Sequence, residues 1–180
     1  MKKIAVLIGS LREDSYNAML FEAFEKHAPA GISFQRVSID LPLLNTDLEE
    51  QFPERVTKFK EAIEAADAVL IVSPEYNRSV PGVLKNALDW ASRQGTTGKN
   101  SFNGKKVATA GATMGGLGTA PMQQHLRSIL VYFNTHVMGQ PEFYLSSAQD
   151  KLQKGGVITD EKTKEVIEKF LAALAVFVEA

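Results

Sequence analysis

Short apolar runs alternate with segments of helical repeat along the whole chain, and that alternation decides which folds are open to it. Ile4 to Ile8 is apolar at every position, as a strand buried on both faces must be. Residues 15–28 then carry Tyr16, Leu20, Ala23 and His27 at spacings of four, three and four, one stripe of a helix. Pro29-Ala30-Gly31 stops that helix. Residues 32–39 alternate Phe34, Arg36, Ser38 against Ser33, Gln35, Val37, a weaker strand suited to an edge. A polar stretch, 40–52, leads to Pro53, a good first helical residue, and to a helix carrying Val56, Phe59, Ile63 and Ala66. Residues 68–72 give a central strand, 82–92 a helix, 107–112 a fourth strand and 119–132 another helix. Thr135 to Met138 is a short fifth strand, and the last helix starts near Thr159 or Asp160 with Val166, Ile167, Phe170, Leu171, Leu174, Phe177 and Val178 on its stripe.

Strands separated by helices form parallel sheets, with right-handed crossovers that put helices on both faces. Five such units predict an α/β domain over 1–180, a three-layer sandwich around a five-stranded parallel sheet of order 2-1-3-4-5. No repeat, low-complexity tract or linker interrupts it, and the longest irregular stretches are 40–52, 93–104 and 139–158. In this architecture ligands bind beyond the carboxyl ends of the strands, where the strand order reverses. The loops after strands one, three and four are therefore the places to look for chemistry.

Composition narrows the chemistry. The 180 residues carry 20 Lys and Arg against 21 Asp and Glu, so no basic surface is advertised for nucleic acid or an anionic membrane. Cysteine is absent, which excludes disulfides, thiol nucleophiles and cysteine-held metal clusters. The apolar run at 4–8 is too short for a signal peptide, and no stretch nears the roughly 20 apolar residues of a membrane span. The chain reads as cytoplasmic. His27, His125 and His136 are too scattered for a metal site, and His27 suits a structural or surface role on its helix.

The first loop, Gly9 to Asn17, leaves a buried strand and enters a helix. Ser10 and Ser15 supply hydroxyls, Arg12 a cation and Asn17 an amide, beside the free N–H groups of a helix start, and together they suit a phosphate. The alternative is a plain turn capped by Ser15 or Asp14, though a cap alone leaves Ser10, Arg12 and Asn17 unexplained. Glu13 and Asp14 would repel a phosphate and should point to solvent. The loop has neither the dinucleotide glycine pattern nor a P-loop lysine. The second loop, Ser73 to Gly82, is stiffened by Pro74 and Pro81 and offers the flat face of Tyr76 and the amide of Asn77 to a planar heterocycle, or is an ordinary turn. The third, Thr109 to Thr119, has four glycines that permit close backbone approach, and Thr113 can donate a hydrogen bond; a merely flexible loop is the alternative.

Gly9-Ser10-Leu11-Arg12 with Ser15-Tyr16-Asn17, then Pro74-Glu75-Tyr76-Asn77 with Ser79-Val80-Pro81-Gly82, and Leu84-Lys85-Asn86-Ala87-Leu88-Asp89-Trp90, resemble the NADPH-dependent FMN reductase family, nearest its bacterial quinone and chromate reductase branch. The resemblance spans nearly the whole chain in motif order. It implies a flavodoxin-like fold and non-covalent FMN. Carried over by motif, Ser10, Leu11, Arg12, Ser15, Tyr16 and Asn17 would hold the phosphate and ribityl chain, and Pro74, Glu75, Tyr76 and Asn77 would line the ring. Thr113 stands where this branch often has serine, before Met114 and Gly115. Arg78 follows at a variable position, where a cation would attract an NADPH phosphate or an anionic acceptor.

The implied reaction is ping-pong. NADPH or NADH passes a hydride to the flavin, leaves, and a small acceptor such as a quinone, chromate, an azo or a nitro compound takes the electrons. No catalytic acid or base is expected, because the cofactor carries the chemistry and the backbone N–H groups of 75–77 and of the glycine loop supply a field. The resemblance also implies a homodimer or homotetramer with flavin sites near subunit interfaces. Two alternatives stay open: a flavodoxin-type carrier serving a protein partner, and a reductase with free FMN as substrate. Gln123, Gln124, His125 and Arg127 are expected at a surface or an interface, and Trp90, Phe133, Phe143 and Tyr144 in the core.

Overall fold

Buried strands need both faces covered, and the computed structural model, which describes residues 1–94 and 98–180, shows how this chain covers them. In order the elements are β1 (Lys2–Ile8), α1 (Tyr16–Lys26), β2 (Ile32–Val37), a 3-10 turn (Thr46–Leu48), α2 (Glu54–Glu64), β3 (Ala68–Val72), α3 (Gly82–Ser92), β4 (Lys106–Ala112), α4 (Ala120–Tyr132) and β5 (His136–Val137). They continue with β6 (Phe143–Leu145), α5 (Ala148–Lys151), β7 (Leu152–Gln153), β8 (Val157–Ile158) and α6 (Glu161–Glu179). The parallel sheet runs β2-β1-β3-β4-β5, the expected order. Of the irregular stretch expected at 93–104, residues 95–97 lie outside the described residues.

The period of two in each strand sorts side chains between two cores. Ile4, Val6, Ile8, Leu70 and Val72 face α1 and α6, while Ala5, Leu7, Val69 and Ile71 face α2, α3 and α4. On the first face β4 offers only Ala108, Ala110 and Ala112, which leaves room for Phe24, Phe143 and Phe170 to pack at centroid distances of 5.2–5.5 Å. Trp90, Phe133 and Phe143 are core, as expected; Tyr144 is only half-buried. Trp90 Nε1 donates to Pro42 O at 2.7 Å and Asn86 Oδ1 accepts from Leu44 N at 2.9 Å, so α3 pins the irregular segment 41–44.

Three boundaries differ from expectation. Pro53 precedes α2 as its extended N-cap (ψ 140°) rather than opening the helix. The fifth position is shared by two segments, β5 on Lys106–Val107 and β6 on Ala110–Ala112, both parallel to β4. The stretch 139–158, expected to be irregular, holds β6, α5 and the β7–β8 hairpin. That hairpin presses on α1 at Gly156, where a Cβ would collide with the backbone of Glu22 and Ala23.

Helix α6, which covers one face, is started by Asp160, whose carboxylate accepts from Thr163 N at 2.9 Å. Its bonds from the Thr163 hydroxyl and amide hold the Asp160 carboxyl below the usual aspartate range. A lowered native pKa stabilises above the unfolded-state value, about 3.9, and the gain is lost as pH falls through the native value. Asp160→Ala should therefore cost about 1 kcal/mol in urea unfolding at pH 7, and the difference from wild type should shrink below pH 4.

Candidate active site

Right-handed crossovers bring the loops after β1, β3 and β4 to one end of the sheet, and the structure shows how tightly they meet there. Ser73 lies between two glycines. A Cβ on Gly9 would collide with Ser73 Oγ, and one on Gly111 would meet Ser73 O at 2.5 Å. Gly9 N donates to Val72 O at 2.9 Å and Ser73 N to Ala110 O at 3.0 Å, which extends the ladder into the loops.

The three loops enclose a cleft of about 160 Å³ lined by Ser10, Arg12, Ser15, Tyr16, Asn17, Pro74, Glu75, Tyr76, Ala112, Thr113 and Met114. Ala112 is the one lining residue that the sequence did not single out. Three residues singled out beforehand lie outside the lining. Leu11 faces a neighbouring groove with Arg36 and Ser38, Asn77 sits at a turn tip, and Gly115 donates its N–H to Thr113 Oγ1 at 3.3 Å.

Around α1 the side chains divide into structural and available groups. Ser15 is the N-cap, accepting from Ala18 N at 3.0 Å. Asn17 is buried and clasps the end of β4: it donates to Ala112 O and accepts from Ala112 N, each at 2.9 Å. The amide side chain expected to face a ligand is thus spent on holding loop one against loop three. Ser10 is buried and accepts from Arg12 N at 3.2 Å, leaving its O–H to donate. Among the described residues the Arg12 guanidinium and the N–H groups of Tyr16 and Asn17 have no protein partner. The first turn of α1 holds no acid, and Asp14 points out to Lys154 at 2.6 Å. A helix N-terminus with open amides, a free guanidinium and no acid in its first turn has the chemistry to hold an anion.

Loop two is a two-residue turn. Tyr76 and Ser79 exchange backbone bonds at 3.1 and 3.0 Å around Asn77 (φ 51°) and Arg78 (φ 63°), both left-handed as a type I′ turn demands. Asparagine tolerates that region; arginine there costs about 1–2 kcal/mol. The Tyr76 N–H is consumed by this turn, so of the 75–77 amides only those of Glu75 and Asn77 remain for a ligand. Glu75 is tied down: Oε2 accepts from Met122 N at 3.1 Å in the first turn of α4, and Oε1 from Arg78 at 3.2 Å. It caps a helix whose own N-cap residue, Thr119, stands at φ 74° and makes no capping bond. Nothing in the sequence signals this role for Glu75. Ser79 Oγ lies 2.9 Å from His125 Nδ1, a second tie between loop two and α4.

Gln123 is a correction. Expected at a surface, it is fully buried beneath the glycine loop, accepting from Thr109 and donating to Thr119 Oγ1 and Phe143 O. Its spacing of three before Leu126 and seven before Leu130 put it on the buried stripe, a signal that its polarity masked. Arg127 is also engaged, donating to Met138 O at 3.0 Å. His27 pairs with Glu168 at 3.3 Å, and no cluster of metal-binding side chains occurs among the described residues.

The sequence matches the family described as NADPH-dependent FMN reductase over residues 2–150. A 2-hydroxy-1,4-benzoquinone reductase of a Burkholderia species is 45% identical over 177 residues, covering 98% of this chain and 96% of that protein. The solved structure of FerB, a flavoenzyme NAD(P)H:(acceptor) oxidoreductase from Paracoccus denitrificans, superposes with a TM-score of 0.91 at 41% identity, covering 99% of this chain and 98% of that one. A flavodoxin from the domain Archaea, 14% identical, shares the fold at a TM-score of 0.64 over 99% of both chains.

Asn17→Ala would leave the buried N–H and C=O of Ala112 unpaired. It should lower stability by about 2–3 kcal/mol in chemical denaturation, a larger loss than for a surface amide.

Proposed function

This chain belongs to the NADPH-dependent FMN reductase family and is an oxidoreductase, and from that premise we propose that it binds FMN in the cleft between its three loops and carries electrons from NADPH or NADH to quinones. The observation that carries this reading is the open N-terminus of α1, with the free Arg12 guanidinium and the Ser10 hydroxyl beside it and no acid in the first turn.

These residues fit FMN. The Tyr16 and Asn17 amides, the Ser10 hydroxyl and the Arg12 guanidinium would hold its phosphate, with the capping Ser15 fixing the helix start and Leu11 flanking the loop. Pro74, Glu75, Tyr76, Thr113 and Met114, which line the cleft, would hold the flavin ring, with Asn77 and Gly115 flanking them. When bound, FMN supplies the two-electron redox chemistry that no side chain in the cleft possesses. The chain's own work is to bind and orient. Glu75 is bonded to the α4 amide and to Arg78, so it holds loop two in place.

A cleft of about 160 Å³ is below the ≈ 300–1,000 Å³ of sites that enclose a whole ligand. It would hold part of the cofactor and leave the rest open, beside exposed Tyr76 and Met114. One open face accommodates donor and acceptor in turn, which supports ping-pong turnover and a broad range of acceptors including chromate, azo and nitro compounds. Exposed Leu11, Leu117 and Met114 at the same rim support a homodimer or homotetramer that covers it. Residues 1–180 act as one FMN-binding unit.

The test is the visible spectrum of the FMN-loaded protein under anaerobic conditions. Flavin bands should bleach within seconds of adding NADPH or NADH and return with benzoquinone. Bands that ignore both nucleotides and bleach only with dithionite would make the chain an electron carrier instead. Removing the phosphate-side cation in Arg12→Ala should weaken FMN binding by about tenfold or more, read by quenching of FMN fluorescence.

A further inference from the structure

Arg78 occupies a position that the turn would rather give to glycine. The two central residues of a type I′ turn both need positive φ, and the second is most often glycine. Here it is an arginine at φ 63°, and its side chain is 70% exposed. Packing does not explain it, because the side chain is mostly in solvent. The ion pair with Glu75 does not explain it either. Glu75, whose side chain is only 10% exposed, is already held by the Met122 amide at the start of α4, and the guanidinium that faces it stands mostly in solvent, which screens the pair. A strained backbone retained beside a binding cleft points to a task for the side chain.

The position suggests which task. Glu75 lines the cleft, and the guanidinium lies 3.2 Å from its Oε1, so Arg78 stands beside the cleft lining on loop two. Arg12, the cation of the cleft lining, is on loop one. One of the five N–H donors of Arg78 is used. The side chain is 70% exposed, so the remaining donors are open to solvent next to the cleft. A nicotinamide dinucleotide is larger than a 160 Å³ cleft, so part of it would stay outside the lining, within reach of residues that flank it.

We propose that Arg78 is a specificity-determining residue that binds a phosphate group of the nicotinamide dinucleotide donor. This rests on the oxidoreductase reading above and adds to it the residue that reads the donor. The unused donors of the planar guanidinium suit a charge-assisted contact with phosphate, and the one bonded to Glu75 can stay in place. Glu75 keeps its bond to α4 throughout, so loop two does not have to move.

The test uses the FMN-loaded protein and the variants Arg78→Gly and Arg78→Lys. Glycine relieves the turn, so Arg78→Gly should fold, melt about 2 °C higher and bind FMN within twofold of wild type. Its KM for the donor should rise about tenfold, and NADP⁺ binding, followed by perturbation of the flavin spectrum, should weaken to match and lose part of its salt dependence. Arg78→Lys should recover part of the loss. Equal losses for NADH and NADPH would assign the contact to the pyrophosphate; a loss confined to NADPH and NADP⁺ would assign it to the 2′-phosphate. Either supports the proposal. KM values for both nucleotides within twofold of wild type in Arg78→Gly would overturn it while leaving the oxidoreductase reading intact. A wild-type holoprotein whose flavin bands ignore both nucleotides would overturn both.

Discussion

Every helix end leaves backbone groups without intrahelical partners, and a parallel sheet with right-handed crossovers sorts those ends by sign. Helix C-termini gather at the amino edge of the strands and N-termini at the carboxyl edge. At the amino edge this chain answers with lysines. Lys105 Nζ donates to Glu64 O and Ala66 O at the end of α2, and Lys106 Nζ to Val178 O at the end of α6. Lys60, almost fully buried, donates to Ala91 O and Arg93 O at the end of α3, and to Lys99 O and Ser101 Oγ. Burial pushes its ammonium down to about 8, against the opposing pull of Glu64. The carbonyl ends are closed by the protein itself. At the carboxyl edge α4 is capped from outside by Glu75, while α1 keeps open amides beside a free arginine. The asymmetry between the two edges leaves donors for a ligand at one of them only, among the described residues.

The fold was legible because its signal is periodic. Runs such as Ala68–Val72 are apolar at every position, and helices such as α6 stripe at 3.6 residues, so order and class follow without knowledge of any contact. What stayed hidden is what depends on partners far away in the chain. The three residues of β6 earn strand geometry by pairing with Ala110–Ala112, and the β7–β8 hairpin by docking on α1 at Gly156. Segments of two or three residues carry no period to read.

The site shows the same division more sharply. Residue types in the first and second loops suggest a place for an anion and, unless the second is an ordinary turn, for a ring, and the fold brings Ser10, Arg12, Tyr16, Pro74 and Tyr76 around one cleft. Which atoms are free could not be read, because hydrogen bonds are assigned in three dimensions. Asn17 looks like a ligand-facing amide and is a clasp on β4. Glu75 looks like a cleft carboxylate and is a helix cap. Gln123, polar and seemingly superficial, is the buried strut of the glycine loop.

These assignments bear on the chemistry. A carboxylate bonded through both oxygens and an asparagine bonded through both side-chain atoms keep three loops in register. Strain is concentrated in the same loops: Asn77, Arg78 and Thr119 hold positive φ there, and Thr119, β-branched and buried, does so against Gly111 with Gln123 bonded to its hydroxyl. Such backbone persists only where surrounding bonds over-determine it. The bonds from Glu75, Ser79 and Gln123 into α4 and β6 are that over-determination. A rim built this way is fixed by its own hydrogen bonds. That is the arrangement expected when a bound cofactor carries the reaction and the protein's contribution is to hold it still with one face open.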